Sequence, residues 1–279
     1  MSDQISPDAT RVALVQHCAG TDVEKNMATL EQYTRQAVAE GADVVMWPEA
    51  FAYLGSHRGK VEILEDLPAG GPILKQCQAL GRELSCELLL GGFHERMPGD
   101  EQRCFNTSVY LGRDGEILAQ YRKIHLFDVD IENGPKLQES KQTGAGETAV
   151  VVDTQLGRLG LTVCYDVRFP QLYQRLIDLG AIAITVPSAF TATTGALHWH
   201  ALLRARAIEC QCYILAPAQH GQHSEHRSSY GHSLIVDPWG KVIAELSDGD
   251  GYITADIEPA QVSKVRQEIP SLANRQPFK

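Results

Sequence analysis

The chain has 279 residues, 43% hydrophobic and 22% charged, which excludes a disordered or low-complexity protein and leaves room for one large folded domain or two small ones. With 25 Lys plus Arg against 35 Asp plus Glu, the net charge of −10 gives no footprint for nucleic acid or an anionic membrane and points to a small-molecule partner. No apolar run approaches the roughly 20 residues of a membrane span, and the opening MSDQISPDAT lacks the charged and apolar regions of a signal peptide, so a cytoplasmic protein is expected.

Short runs rich in Val, Ile and Leu alternate with amphipathic stretches to about residue 220, the pattern of an α/β architecture. The first strand is RVALVQHC, residues 11–18. A helix follows, with Thr21 and Glu24 read as a T-x-x-E capping box, and Met27, Leu30, Thr34, Ala37 and Val38 on one face. Gly41 stops it. Residues 42–47 read as a buried strand ending at Pro48, which has no N–H for the ladder, and Glu49 falls just past its carboxyl end. Residues 72–85 are helical, ELLLGGF is a strand, and CFNTSVYLG and EILAQY form a hairpin joined by Arg113-Asp114-Gly115. Beyond a polar, Gly-rich stretch (131–148), AVVVDT and RLGLTVC are strands, FPQLYQRLIDLG a helix and AIAITVP a strand. A helix over 196–211 and the strand CYILAPA complete the alternation. GHSLIVDPWGKVIAELS is a second hairpin turned at Pro238-Trp239-Gly240, and GYITADI is a further strand. Parallel buried strands mixed with hairpins imply a mixed sheet, or two sheets packed together with helices outside, in one domain spanning 1–279.

In LGLTVCYDVRFP an apolar run stops at Cys164 and a helix follows. Such a strand-to-helix turn presents its side chain at the sheet's carboxyl edge, where helix-start amides lower a thiol's pKa and hold an oxyanion. The plainer reading of any one cysteine is a buried thiol. The seven cysteines (18, 77, 86, 104, 164, 210 and 212) are odd in number and scattered, so free thiols are expected, and no CxxC pair suggests structural zinc. Two further ionisable residues end apolar strands, Glu49 in WPEA and Lys123 in YRKIH, and all three positions could share one sheet edge. Singly, Glu and Lys are usually surface residues. Together with a cysteine they supply what acyl transfer needs: a base for the thiol, a cation for the oxyanion and an acid for the leaving amine.

WPEA, YRKIHLFDVD and TVCYDVRFP, in this order, resemble the three signatures of the nitrilase superfamily, and PSAF, HW, LLRARAIE, QCY, YGHS and VDPWG resemble its amidase branch over essentially the whole chain. The resemblance implies a four-layer αββα sandwich forming a homodimer through its helices, without a cofactor or metal. It implies hydrolysis of a terminal amide of a small 2-oxo acid, with Cys164 as nucleophile, Glu49 as general base and Lys123 at the tetrahedral intermediate. A second glutamate of the family matches Glu139, with Glu132 as the competing assignment. Tyr165, Arg168, Phe190 and Thr194 are the candidate substrate-binding residues, Tyr165 through its backbone N–H. Arg168 and Arg204 read equally as carboxylate ligands or as structural ion-pair partners. A protonated lysine should favour ionised glutamate and thiolate, while burial raises the carboxylate's pKa towards the working range.

One departure stands out: the family usually has a glutamate after the HW pair, where this chain has His200, which alters the local charge. The histidines His220, His223, His226 and His232 lie in a polar, Gly-containing segment whose spacing fits neither a helical pair nor a zinc finger, so a solvated or pocket-lining loop is expected there. A nitrilase, an N-carbamoyl hydrolase or an acyltransferase would use the same three residues. A non-enzymatic binding module has no need of all three, and a nucleotide-binding protein would carry a Gly-rich phosphate loop, which this sequence lacks.

Overall fold

The computed structural model describes residues 9–130, 136–225 and 227–277. The first half builds β1 (Thr10–Gln16), α1 (Val23–Ala39), β2 (Val44–Glu49), α2 (His57–Glu62), α3 (Pro72–Leu84), β3 (Glu87–Met97), β4 (Asp100–Leu111) and β5 (Ile117–Arg122). Next come a small ribbon of β6 (Asp128–Asp130) and β7 (Lys136–Gln138), and β8 (Thr143–Gly144) beside β4. The second half builds β9 (Val150–Thr154), β10 (Gly157–Leu161), α4 (Pro170–Asp178), β11 (Ala183–Thr185), α5 (Ala192–Cys210) and β12 (Tyr213–Ala216). The ribbon β13 (His220–Ser224) with β14 (Arg227–Tyr230), the hairpin β15 (Ser233–Val236) with β16 (Val242–Leu246), β17 (Gly251–Ile257) and α6 (Pro259–Glu268) complete it.

Among the described residues the strands form two large sheets, ordered β17-β1-β2-β3-β4-β5 and β16-β15-β12-β11-β10-β9. Each has three parallel strands at its centre, β1–β3 in one and β10–β12 in the other, with antiparallel strands outside. Side chains alternate across a strand, and here the alternation separates two cores. Val12, Leu14, Val44 and Met46 point to the second sheet, on the side of Leu159 and Leu161. Ala13, Val15, Val45 and Trp47 point the other way, onto Met27 and Leu30 of α1 and Leu74 and Cys77 of α3. The second sheet's outer face packs on Leu172 and Tyr173 of α4 and Trp199 and Leu203 of α5. The layers therefore run helix, sheet, sheet, helix. No described helix is long and apolar enough to cross a membrane.

Three local readings change. The cap of α1 is Asp22, whose carboxylate accepts from the Lys25 N–H at 3.0 Å, rather than a Thr21–Glu24 box. β2 runs through Pro48 to Glu49, pairing Glu49 with Gly92, so the glutamate is the strand's last residue. α5 starts at Ala192, four residues before the expected 196. At Gly195, inside the added turn, a Cβ would lie 2.3 Å from the Tyr230 Cβ, so close packing on β14 requires glycine.

Candidate active site

Glu49, Lys123 and Cys164 do meet, though not on one sheet edge. Glu49 ends β2 and Lys123 follows β5, both in the first sheet, whereas Cys164 follows β10 in the second, so the site straddles the gap between the sheets. Cys164 opens a short 3-10 turn (Cys164–Arg168) with a left-handed φ of 49°, strained for a residue with a side chain. Its own N–H is taken by the Pro187 carbonyl at 2.9 Å. The Lys123 Nζ lies 3.1 Å from Glu49 Oε1 and 2.8 Å from Glu139 Oε2. Glu49 Oε2 accepts from the Ala189 N–H at 2.8 Å, and Glu139 Oε2 from the Phe127 N–H at 2.7 Å. Glu49, Lys123 and Cys164 are all buried.

Burial alone would push the Glu49 carboxyl up. The Lys123 charge, a hydrogen bond from the Cys164 thiol and the Ala189 N–H outweigh it and hold Glu49 well below the usual carboxylate range. The thiol moves the other way: burial and then the adjacent Glu49 charge raise it well above normal, against the opposing pull of Lys123. Burial works against the Lys123 charge, but Glu139 and Glu49 keep the ammonium protonated far into alkali. The expectation of a thiolate and a raised carboxylate is thus reversed. Two carboxylates surround one ammonium, so a third negative charge on sulfur is disfavoured, and the resting pair is a neutral thiol beside an ionised glutamate.

Two residues that sequence reasoning passed over hold this arrangement. Asn106 Nδ2, on β4, donates to Glu49 Oε1 at 2.8 Å and to Glu139 Oε1 at 3.4 Å. Fully buried Asp166 accepts from the Val163 N–H at 2.9 Å within the cysteine turn, and from the Tyr121 hydroxyl at 2.7 Å and the His125 N–H at 3.0 Å on either side of Lys123. One carboxylate thereby ties the two turns together across the sheets. The only sequence signal was an acidic residue two places after Cys164.

A cavity of about 700 Å³ opens above the cysteine, lined by Glu49, Lys123, Glu139, Cys164 and, on its walls, Lys60, His94, Phe127 and Arg227. Tyr165, Arg168, Phe190 and Thr194 are not part of this lining. The Tyr165 ring packs on Phe127 and Phe169, Arg168 reaches His198 Nδ1 at 3.3 Å, Phe190 packs on Trp199, and Thr194 bonds Thr191 at 2.7 Å. Arg204 donates to the Gly240 carbonyl at 2.8 Å, a structural contact. The competing Glu132 lies outside the described residues, as does His226. His220 binds Asp250 at 2.8 Å and His223 the Ala19 carbonyl at 2.8 Å, so the ribbon histidines do not converge, while Arg227 of the same ribbon reaches the cavity.

The chain matches the Carbon-nitrogen hydrolase family over residues 11–267. It is 41% identical to deaminated glutathione amidase of Mus musculus across 99% of this chain and 86% of that protein. Against the proteins of the same name the identity is 42% for Homo sapiens, across 98% and 85%, and 39% for Synechocystis sp., across 94% and 97%. The solved structure of the Caenorhabditis elegans NitFhit protein superposes with a TM-score of 0.90 at 37% identity, covering 96% of this chain and 65% of that one. Saccharomyces cerevisiae Nit3, a member of branch 10 of the nitrilase superfamily, superposes with a TM-score of 0.84 at 30% identity, covering 96% and 97%.

Proposed function

This chain belongs to the carbon-nitrogen hydrolase family and is an amidase of it, and from that premise we propose that it cleaves the omega-amide of a small 2-oxo acid of the deaminated glutathione type, with Cys164 as nucleophile. The observation that carries this reading is the thiol–carboxylate–ammonium contact at the floor of a cavity whose walls hold Lys60 and Arg227. Neither cation has an ion-pair partner among the described residues, so both are available to the carboxylates of an acidic substrate.

Glu49 takes the thiol proton as sulfur attacks the amide carbon, so no free thiolate accumulates. The carbonyl π pair moves to oxygen, where the Lys123 ammonium and the Tyr165 N–H receive it. Collapse expels the amine, which takes its proton from the Glu49 carboxylic acid, and leaves an acyl-cysteine thioester. Water then enters, loses a proton to Glu49, attacks the thioester and releases the acid, and sulfur regains the proton. Glu139 keeps Lys123 charged and directed. The leaving group is ammonia for a simple omega-amide and a peptide amine for deaminated glutathione.

A panel comparing deaminated glutathione, simple omega-amides of 2-oxo acids, nitriles, N-carbamoyl amino acids and glutathione tests the assignment, following released amine and 2-oxo acid. The 2-oxo amides should turn over fastest, because glutathione brings an ammonium towards Lys60, Lys123 and Arg227. Faster turnover of a nitrile or a carbamoyl amino acid would displace the substrate class. The working form is a cytoplasmic homodimer of a single-domain chain. Seven free thiols suit a reducing compartment, and exposed Leu197 and Ile208 on α5 beside Trp239 offer an apolar helix face. Light scattering measures that assembly directly.

A further inference from the structure

We propose that His200, His232 and Glu245 form a binding site for a zinc-class divalent cation that ties α5 to the β15–β16 hairpin. The three residues come from separate rigid elements: His200 from the middle of α5, His232 from the residue before β15, and Glu245 from β16, where it pairs with Leu234. Their ligand atoms all lie within 4.8 Å of one another. Glu245 Oε1 is 3.0 Å from His200 Nε2 and 2.6 Å from His232 Nδ1. Ligands about 2.0–2.1 Å from a zinc ion stand roughly 3.5 Å apart, so adjustments on the scale of a side-chain rotation close this set around a metal. Two imidazoles and one carboxylate are the ligand types that borderline divalent cations select, and three protein ligands leave water to complete the shell.

Two features go beyond a surface hydrogen-bond cluster. His232 sits in the left-handed region, with φ of 58°, directly after Gly231 at 75°, a costly backbone for a residue with a side chain. It is held there by Trp199 Nε1 donating to its carbonyl at 2.8 Å, while the Tyr230 ring stacks on its imidazole with centroids 4.2 Å apart. The strained residue is thus clamped with its ring aimed at Glu245. Secondly, among the described residues no Lys or Arg pairs with Glu245, and the three side chains keep 35%, 23% and 30% of their surface exposed, open to an arriving ion and its waters. On binding, each neutral imidazole presents a lone pair in place of the proton it shares with the carboxylate, that proton moving to the ring's other nitrogen. The cation's two positive charges face a single carboxylate, so no uncompensated anion is left. None of the three lines the cavity above Cys164, so the site is separate from the amide chemistry.

Titration of the full-length Cys164→Ala protein with Co²⁺ tests this without interference from the nucleophile's sulfur. A saturable visible absorption of a nitrogen- and oxygen-ligated ion is expected, weakened roughly tenfold or more in apparent affinity by His200→Ala and by Glu245→Gln. Zn²⁺ should raise the melting temperature of the parent by a few degrees and leave both variants unmoved. Melting curves without metal establish that the variants fold, which their partly exposed positions favour. A parent that binds no cobalt, or variants that bind it as the parent does, would overturn the site.

Discussion

At the scale of single residues, the chemistry rests on which proton sits where. A neutral thiol beside an ionised glutamate means that neither group titrates near neutrality: Glu49 is held low, while Cys164 and Lys123 are held high. The kcat/KM profile should therefore be flat from about pH 5 to about pH 9, since its acid limb reports Glu49 and its alkaline limb the thiol and ammonium. A limb inside that window would show that the thiol and carboxylate are not poised as described. Cys164→Ala should abolish turnover with an unchanged circular dichroism spectrum. Glu139→Gln, which removes the charge facing Lys123 at 2.8 Å, should cost about tenfold to a hundredfold in kcat, and Glu132→Gln should cost little. Amide turnover by the two glutamine variants checks the ranking, and the reverse order would transfer the second-glutamate role.

Elements matter here because the site is assembled from two sheets. β2 and β5 deliver Glu49 and Lys123, β10 delivers Cys164, and buried Asp166 binds the turns after β5 and β10 to each other. Replacing it by asparagine keeps the shape but substitutes an amide where four donors converge, counting His125 Nδ1 at 2.8 Å. Asp166→Asn should cost about 1–3 kcal/mol in urea unfolding. It should also lower kcat more than it raises KM, because it displaces Lys123 relative to sulfur without touching the cavity walls. A variant with full kcat and lowered stability would make Asp166 a folding residue alone. The neighbouring turn shows the same economy: Glu65 accepts from Gly71, Ile73 and Leu74 N–H groups at 2.7–3.0 Å, closing the start of α3 where Gly71 has no side chain to do so.

The whole molecule carries three buried or half-buried histidines with depressed basicity. Burial lowers His17 to about 4, His94 to about 3 and His223 to about 4. Each is neutral in the fold, whereas the unfolded chain protonates its histidines below about pH 6.5. The unfolded state then binds protons that the native state refuses. Stability is full above that pH and falls as pH drops from about 6.5 towards 4, by up to about 1.4 kcal/mol per pH unit for each such group. Glu49 joins the loss only from about pH 5 downwards, where the unfolded chain's carboxylates begin to take protons that the folded Glu49 refuses. Urea midpoints measured between pH 7 and pH 4 check the trend. Constant stability across that range would mean these histidines are protonated in place.

The sequence by itself determined the α/β alternation of the principal strands and helices and singled out the three residues at strand ends, because apolar periodicity and adjacency along the chain are local properties; the short α2, the ribbons β6–β7 and β13–β14 and the helix α6 left no such pattern. Even the cysteine's turn was legible, as an apolar run halted before a helix. Only the tertiary structure decided that Glu49 and Lys123 face Cys164 across two sheets. It alone brought Asp166 and Asn106 into the arrangement, and placed Lys60 and Arg227 at the cavity in place of Arg168 and Thr194. It also replaced the expected thiolate by a neutral thiol, kept its base ionised with a lowered rather than raised pKa, and turned His200 towards Glu245. These outcomes depend on through-space distance and on exclusion of water, which change only when segments remote in the chain close over one another.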